Sequence, residues 1–491
     1  MLGTVLAFLV TLVALLWWRS RPRNPPPSPG LALPVVGHLH LFQDNPVDQL
    51  DTWRQRLGNI YTLQMGPFRC VMLSGYELIS EALLNHHESL LERPNNFSHE
   101  ELFKYSGIIS LGGRKWKEQR AFLQSTLRSL GMGRDVMAER IRIEADYLLA
   151  TIDGFNGQAS DISNLVMVCV TNVITGVTFS KRFDQGDKII VYWLGFLKRL
   201  FHLLGSSAVI NFFPVLKYLP GDRFNYKELK SIIRQMRATI LEWTEKDKRT
   251  INESDEAFED IVQAFLTEIE RKKSQGVKDT SLDDVNLLSS ALSLFNAGTE
   301  TVTNTIVFAV LYMINFPNIQ AKLYQEIKDL VGTDRAPDVS DKHKLKFLTA
   351  FIMETQRFAC VIPLGIDRLS TKDVSLGGFT VTAGTSVMVN LDSVLRDEKV
   401  WGDPEVFRPD RFLDENGSVV AKKEFVPFSI GKRNCIGEGL ATMELFIFIS
   451  ALVQKFEFFP ENEGQIPSME PDIGFSKVAK PFKVRAISRM K

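Results

Sequence analysis

The apolar positions along the chain fall into blocks of different period, and the first block has no period at all. Leu2 to Trp18 runs for 17 residues without a charge and closes on Trp17 and Trp18. As a helix rising about 1.5 Å per residue it spans roughly 26 Å, enough for a bilayer core. Arg19, Arg21 and Arg23 follow at once, and a positive flank stays cytosolic, which places the rest of the chain on that side. A cleaved signal peptide is the competing reading, but arginines and prolines follow the run, without an Ala-x-Ala-like site. Pro25-Pro26-Pro27-Ser28-Pro29-Gly30 then predicts a stiff, extended spacer. The expected organisation is an anchor over residues 1–18, a basic and proline-rich hinge over 19–34, and a folded body over 35–491.

Inside the body, alternation over Ile60–Met65 and Cys70–Leu73 predicts a hairpin turning at Gly66-Pro67. Helical spacing dominates elsewhere. Arg114 to Leu127 reads as a basic helix with Trp116 and Arg120, four residues apart, on one face. Met132 to Lys273 is largely helical, broken by an apolar, aromatic and proline-containing stretch from Asn211 to Gly221. Ser281 to Asn315 is a long apolar helix carrying Ala297-Gly298-Thr299-Glu300-Thr301. A glycine there costs about 1 kcal/mol relative to alanine, and an acid is poorly placed in an apolar core, so a break is expected at this point. A solvent-facing Glu300 with a Thr301 side chain bonded to the backbone is the plainer alternative. Leu345–Ala359 and Leu440–Val453 complete the helical set, the former with Glu354 and Arg357 at a spacing that permits an ion pair.

Composition adds limits. The charges balance at 58 basic and 58 acidic residues, so nucleic acid is not an expected partner. Cys70, Cys169, Cys360 and Cys435 are widely scattered, with no Cys-x-x-Cys pair, which fits a reducing compartment and no disulfide framework. The sequons at Asn96, Asn252 and Asn416 are then expected to stay unglycosylated.

The candidate chemistry centres on Phe428-Ser429-Ile430-Gly431-Lys432-Arg433-Asn434-Cys435-Ile436-Gly437. Cys435 sits where a loop enters a helix, and helix N-terminal amides favour a thiolate. Gly431 permits a positive φ that curls the loop round a sulfur. Phe428 supplies an apolar wall and Arg433 a cation suited to a carboxylate. A single thiolate does not suit zinc or an iron–sulfur cluster, but suits one axial position of a haem iron; a buried small hydrophobe is the bland alternative.

This stretch resembles the Phe-x-x-Gly-x-Arg-x-Cys-x-Gly signature of the cytochromes P450, and further motifs follow the family's order. Trp116-x-x-x-Arg120 is similar to the helix that holds a haem propionate, and Arg93 resembles a further propionate-binding arginine. Ala297-Gly298-Thr299-Glu300-Thr301 resembles the segment where a gap admits dioxygen and an acid–alcohol pair relays protons. Glu354, Arg357 and Arg411 resemble the triad that braces the cysteine loop. Asn211–Gly221 is similar to the connection that lids the cavity and dips into the membrane. The chain departs from the pattern at Asp367-Arg368, where Pro-His-Arg is common, and at Arg396, where a histidine is frequent.

The resemblance, closest to animal microsomal family 2, implies a mainly α fold, a helical triangular prism with small β-sheets, behind an N-terminal transmembrane helix. It implies haem b held by Cys435, with Arg93, Trp116, Arg120, Phe428 and Arg433 around it, and Glu300 and Thr301 as catalytic residues. The implied activity is a monooxygenase that inserts one atom of dioxygen into a lipophilic fatty acid, steroid or xenobiotic. Phe103, Asn296, Ala297, Ile362 and Phe475 are the implied pocket contributors. No nucleotide fingerprint is present, so electrons come from NADPH through NADPH–cytochrome P450 reductase, with cytochrome b5 as a further partner and membrane lipid beneath. Lys115, Lys117, Arg128, Arg134 and Lys432 are the candidate docking residues. The implied location is the endoplasmic reticulum membrane, single-pass, with the haem body cytosolic. A P450-fold isomerase acting on peroxides and a non-catalytic haem protein are the alternatives.

Overall fold

The computed structural model describes residues 24–42, 46–96, 100, 104–184, 186–248 and 258–489. The expected anchor over 1–18, the arginines that follow it, Phe103 and the sequon at Asn252 lie outside the described residues. The chain divides into two compact units, one of Met1–Pro94, Leu364–Asn390 and Ile430–Lys432, the other of Asn95–Pro363, Leu391–Ser429 and Arg433–Lys491.

The first unit is built on the expected hairpin. Ile60–Met65 pairs antiparallel with Phe68–Ser74, and Met65 faces Phe68 across the turn. Phe68–Ser74 also pairs, in parallel, with Ser386–Asn390, which takes Arg368–Leu369 on its other edge. Cys70 through Ser74 are buried on both faces. A short second hairpin joins Val374–Leu376 to Phe379–Val381.

The second unit is helical. Its longest member, Asp284–Asn315, has 32 residues, and the Asp283 side chain caps it by accepting from the Asn286 amide. Among the described residues it is the one helix long and apolar enough to cross a membrane, yet most of it is buried inside the protein. It packs against Ser163–Phe179, Glu438–Lys455, Tyr226–Lys248 and Lys346–Ala359. An aromatic layer of Tyr312, Phe351, Phe358 and Phe407 fills one of these seams in edge-on and tilted pairs.

The expected break over Ala297–Thr301 is absent: the helix runs through those residues without a boundary. Gly298 has a packing reason instead. A Cβ there would lie 2.9 Å from Ile174 Cγ1, so the glycine lets Ser163–Phe179 approach closely.

Lys346–Ala359 carries the ion-pair triad. Arg357 Nε donates to Glu354 Oε2 at 2.7 Å and Arg411 Nε to Glu354 Oε1 at 3.0 Å, with all three side chains almost wholly buried. Arg408 N also donates to Glu354 Oε1 at 2.8 Å. The arginines spend their remaining donors on the carbonyls of Leu395, Pro404, Trp401, Asp403 and Val406. The triad thus braces the Leu395–Val406 segment directly; the cysteine loop lies further along the chain.

The Asn211–Gly221 stretch lies at the surface. It forms Val209–Phe212 and a 3-10 turn at Pro214–Tyr218, with Val215 and Tyr218 at 66% and 77% exposure.

Candidate active site

The loop before Cys435 is closed by its own backbone, the Cys435 amide donating to Phe428 O at 3.0 Å. Ser429 and Gly431 both take positive φ. A Cβ at Gly431 would lie 2.4 Å from Leu83 O, so only glycine fits there. The following helix, Glu438–Lys455, begins at an N-cap Gly437, which puts the sulfur at its N-terminus as the sequence predicts. Surrounding protein raises the Cys435 pKa by desolvation, while the Gly437 and Glu438 amides and the Arg120 charge pull it back. Cys435 is also the accessible cysteine. Cys70, Cys169 and Cys360 are buried, and burial pushes the Cys70 thiol up to about 12, which keeps it an inert thiol.

Three predicted residues gather beside this sulfur. Trp116 is buried on the Gly113–Ser129 helix, with the Arg433 guanidinium 4.5 Å from its ring centre and that of Arg120 5.6 Å away. Arg433 donates to the carbonyls of Ile109 and Leu111. Arg120 donates to Asn434 O at 2.9 Å and Asn434 Oδ1 at 2.6 Å. Among the described residues Arg120 meets no carboxylate, and burial lowers its pKa while the Cys435 charge opposes that. A desolvated cation next to an accessible thiol invites anionic groups. Haem fits: it needs one axial thiolate and cations for its propionates. Phe428 lies half-buried on the same loop. Arg93 belongs to the first unit, where its guanidinium donates to Ile366 O at 2.8 Å and also to Asp367 O. Desolvation draws its pKa down to about 10 against the pull of Asp367.

Glu300 and Thr301 are adjacent in sequence but keep separate partners. The Thr301 hydroxyl donates to Ala297 O at 2.8 Å, the backbone bond that the plainer alternative foresaw. Glu300 is not solvent-facing; it is 3% exposed. Its Oε1 accepts from Asn304 Nδ2 at 3.0 Å and from Ser476 Oγ at 3.5 Å. Its Oε2 is buried with no hydrogen-bond partner among the described residues. Desolvation raises its pKa, opposed by Asn304, Lys198 and Ser476, so this carboxyl is biased toward its protonated form. Asn304 was reachable from sequence by its four-residue spacing. Ser476 and Asn434 carried no such signal.

The departures from the family pattern also find partners. Asp367 accepts from Ser386 Oγ at 3.3 Å, and Arg368 is buried in the sheet. Arg396 is held by Glu405 at 2.6 Å and by Asp392 at 3.5 Å. Of the implied pocket residues, Ala297 and Phe475 are exposed and Asn296 and Ile362 partly buried.

Comparison with known proteins agrees with this geometry. The cytochrome P450 family model matches residues 26–486. Human cytochrome P450 2J2 is 36% identical over 95% of this chain and 91% of its own length. Golden hamster (Mesocricetus auratus) cytochrome P450 2A8 is 34% identical over 98% and 97%. Cytochrome P450 2K1 of the trout Oncorhynchus mykiss is 33% identical over the whole chain and 97% of its own. The chain therefore belongs to the cytochrome P450 family, among the animal family 2 enzymes, and is a haem-thiolate monooxygenase.

Proposed function

We propose that the enzyme oxidises a lipophilic substrate at the endoplasmic reticulum membrane, with electrons passed from NADPH by NADPH–cytochrome P450 reductase and a second route through cytochrome b5. The observation that carries this reading is the accessible Cys435 sulfur, met by the Gly437 and Glu438 amides, which oppose the Glu438 charge, and by the Arg120 guanidinium, which meets no carboxylate among the described residues. Cys435 would ligate the haem, Trp116, Arg120, Arg433 and Arg93 would hold its propionates, and Phe428 would wall its proximal side. Bound haem supplies the activation of dioxygen. Thr301, part-exposed at mid-helix, spends its hydroxyl proton on Ala297 O and leaves its lone pairs to accept. Burial biases Glu300 toward its protonated form, and its Oε2 has no hydrogen-bond partner among the described residues, so a proton there would serve general acid catalysis.

Lys115, Lys117, Arg128, Arg134 and Lys432 are all exposed and suit an acidic flavoprotein surface. Lys115 and Arg114 share Asp279, which tempers the charge at that end. Val215, Tyr218 and Leu219, the exposed apolar tip of the Asn211–Gly221 stretch, suit membrane lipid beside the single-pass anchor over 1–18.

The test is reconstitution. Product from a fatty acid, a steroid or a xenobiotic should require NADPH, reductase and dioxygen together. Cys435→Ala should abolish the red-shifted band of the reduced carbon monoxide complex, while Cys70, Cys169 and Cys360 are each replaceable. Retention of that band without Cys435 sinks the assignment. Glycan on Asn96, Asn252 or Asn416 would place the body in the lumen and refute the topology.

A further inference from the structure

The hairpin of Pro471–Ile473 and Lys477–Ala479 reaches four other segments through four consecutive residues. Gly474 meets the Lys188–Ser206 helix, where a Cβ on Gly205 would lie 3.3 Å from Gly474 Cα. Phe475 packs on Phe201 of the same helix at 5.9 Å between ring centres. Ser476 donates to Glu300 Oε1 at 3.5 Å. The Lys477 amide donates to Val361 O at 2.8 Å, next to Ile362, one of the pocket contributors the resemblance implies.

What holds this tip is a buried ion pair. Lys477 is 4% exposed, and its Nζ lies 2.6 Å from Asp392 Oδ1. Asp392 begins the short Asp392–Leu395 helix. It also takes a hydrogen bond from the buried Cys360 thiol and sits 3.5 Å from Arg396 Nε. A lysine ammonium is costly to bury unless paired and hydrogen-bonded. Here the pair fixes one end of a strand whose preceding turn touches both Glu300 and Phe201.

We propose that Lys477 and Asp392 are positioning residues: their ion pair clamps the hairpin so that Ser476 stays on Glu300 and Phe475 stays against Phe201. The proposal rests on the monooxygenase reading and deepens it. One clamp sets the donor on the Glu300 carboxyl and the place of Phe475, the ring that the family resemblance puts among the pocket contributors. Loosening it should therefore disturb coupling and site of oxidation together, without touching the haem ligand.

The experiment compares wild type, Lys477→Met, Lys477→Arg and the double variant Lys477→Met/Asp392→Asn, which leaves no clamp charge unpaired should Lys477→Met lose haem. Two readouts are taken: hydrogen–deuterium exchange of residues 471–479 in the haem-loaded protein, and reconstituted turnover with lauric acid, testosterone and ethoxycoumarin as probes. In the methionine variants the hairpin amides should exchange about 10-fold faster, and product per NADPH should fall about 3- to 10-fold, as small misplacements near a reacting centre do. The ratio of oxidised positions should shift, with the reduced carbon monoxide band kept. Lys477→Arg, which can still donate to Asp392, should stay near wild type in every readout. Wild-type exchange and product ratios in both methionine variants would overturn the clamp. Absence of NADPH-dependent product in wild type would instead strike the monooxygenase reading, and the exchange data would still decide the clamp.

Discussion

Two buried glutamates in the helical unit lie in opposite electrostatic settings. Glu354 is wholly buried and saturated: Arg357, Arg411 and the Arg408 amide supply donors to both of its oxygens. Glu300 is as deeply buried, yet one of its oxygens has no partner among the described residues and the other has only neutral ones. Burial of a carboxylate is tolerated when compensated and pushes the group toward its neutral form when not. The first arrangement suits a brace that must never change state. The second suits a group that holds and surrenders a proton. The two differ by tertiary company alone, since each sits on a regular helix.

The sharpest way to break the comparison is to remove compensation from the saturated site. Arg357→Met leaves Glu354 short of two donors in a dry core, and breaking a buried pair this way costs about 3–5 kcal/mol. Little or no haem-loaded protein should be recovered, as judged by the reduced carbon monoxide band and chemical denaturation. A stable holoprotein from Arg357→Met would show that the triad is not the brace described.

The open site should respond in turnover instead. Thr301→Ala should keep the haem spectrum and substrate affinity while product formation falls by about 100-fold, the scale of a lost positioned proton donor. NADPH consumption should persist and divert to hydrogen peroxide. Unchanged product per NADPH would mean that this alcohol does not take part. Glu300→Gln keeps the Asn304 and Ser476 contacts possible and replaces the titratable carboxyl by a non-titrating amide; a smaller loss of about 10-fold is expected, read in the same coupled assay.

The smallest effect is on stability against pH. Burial raises the Glu300 pKa above the ordinary 4.5, so the folded protein binds this proton more tightly than the unfolded chain. Stability from this group is complete below the unfolded value and is lost as pH rises through the folded one. Thermal denaturation of wild type and Glu300→Gln should therefore diverge progressively as pH climbs from 4.5, wild type losing more. Parallel curves would argue that Glu300 is ionised and compensated by something outside the contacts described.

Much of this site was legible in the chain because the signals are local. The Cys435 loop needs its glycine, its aromatic and its helix start within ten residues, and Trp116 with Arg120 needs only helical spacing. The hairpin at Gly66-Pro67 follows from alternation, and the Glu354–Arg357 pair from a three-residue interval. Those readings survive because backbone geometry alone brings the side chains together.

The sequence by itself determined the cysteine loop at a helix start, the helical and strand elements and the adjacency of Glu300 and Thr301, all of which depend on neighbours a turn or a loop apart. Tertiary structure decided the company each group keeps. An apolar helix carrying Gly298 looked interrupted, but the close approach of Ile174 makes the glycine a packing requirement. Glu300 looked solvent-facing or paired with Thr301, and the fold gave it Ser476, 176 residues away. Lys477 had no visible purpose until Asp392, 85 residues distant, was brought to its ammonium. Such pairings follow from how whole helices and hairpins pack, and no short-range period in the chain encodes them.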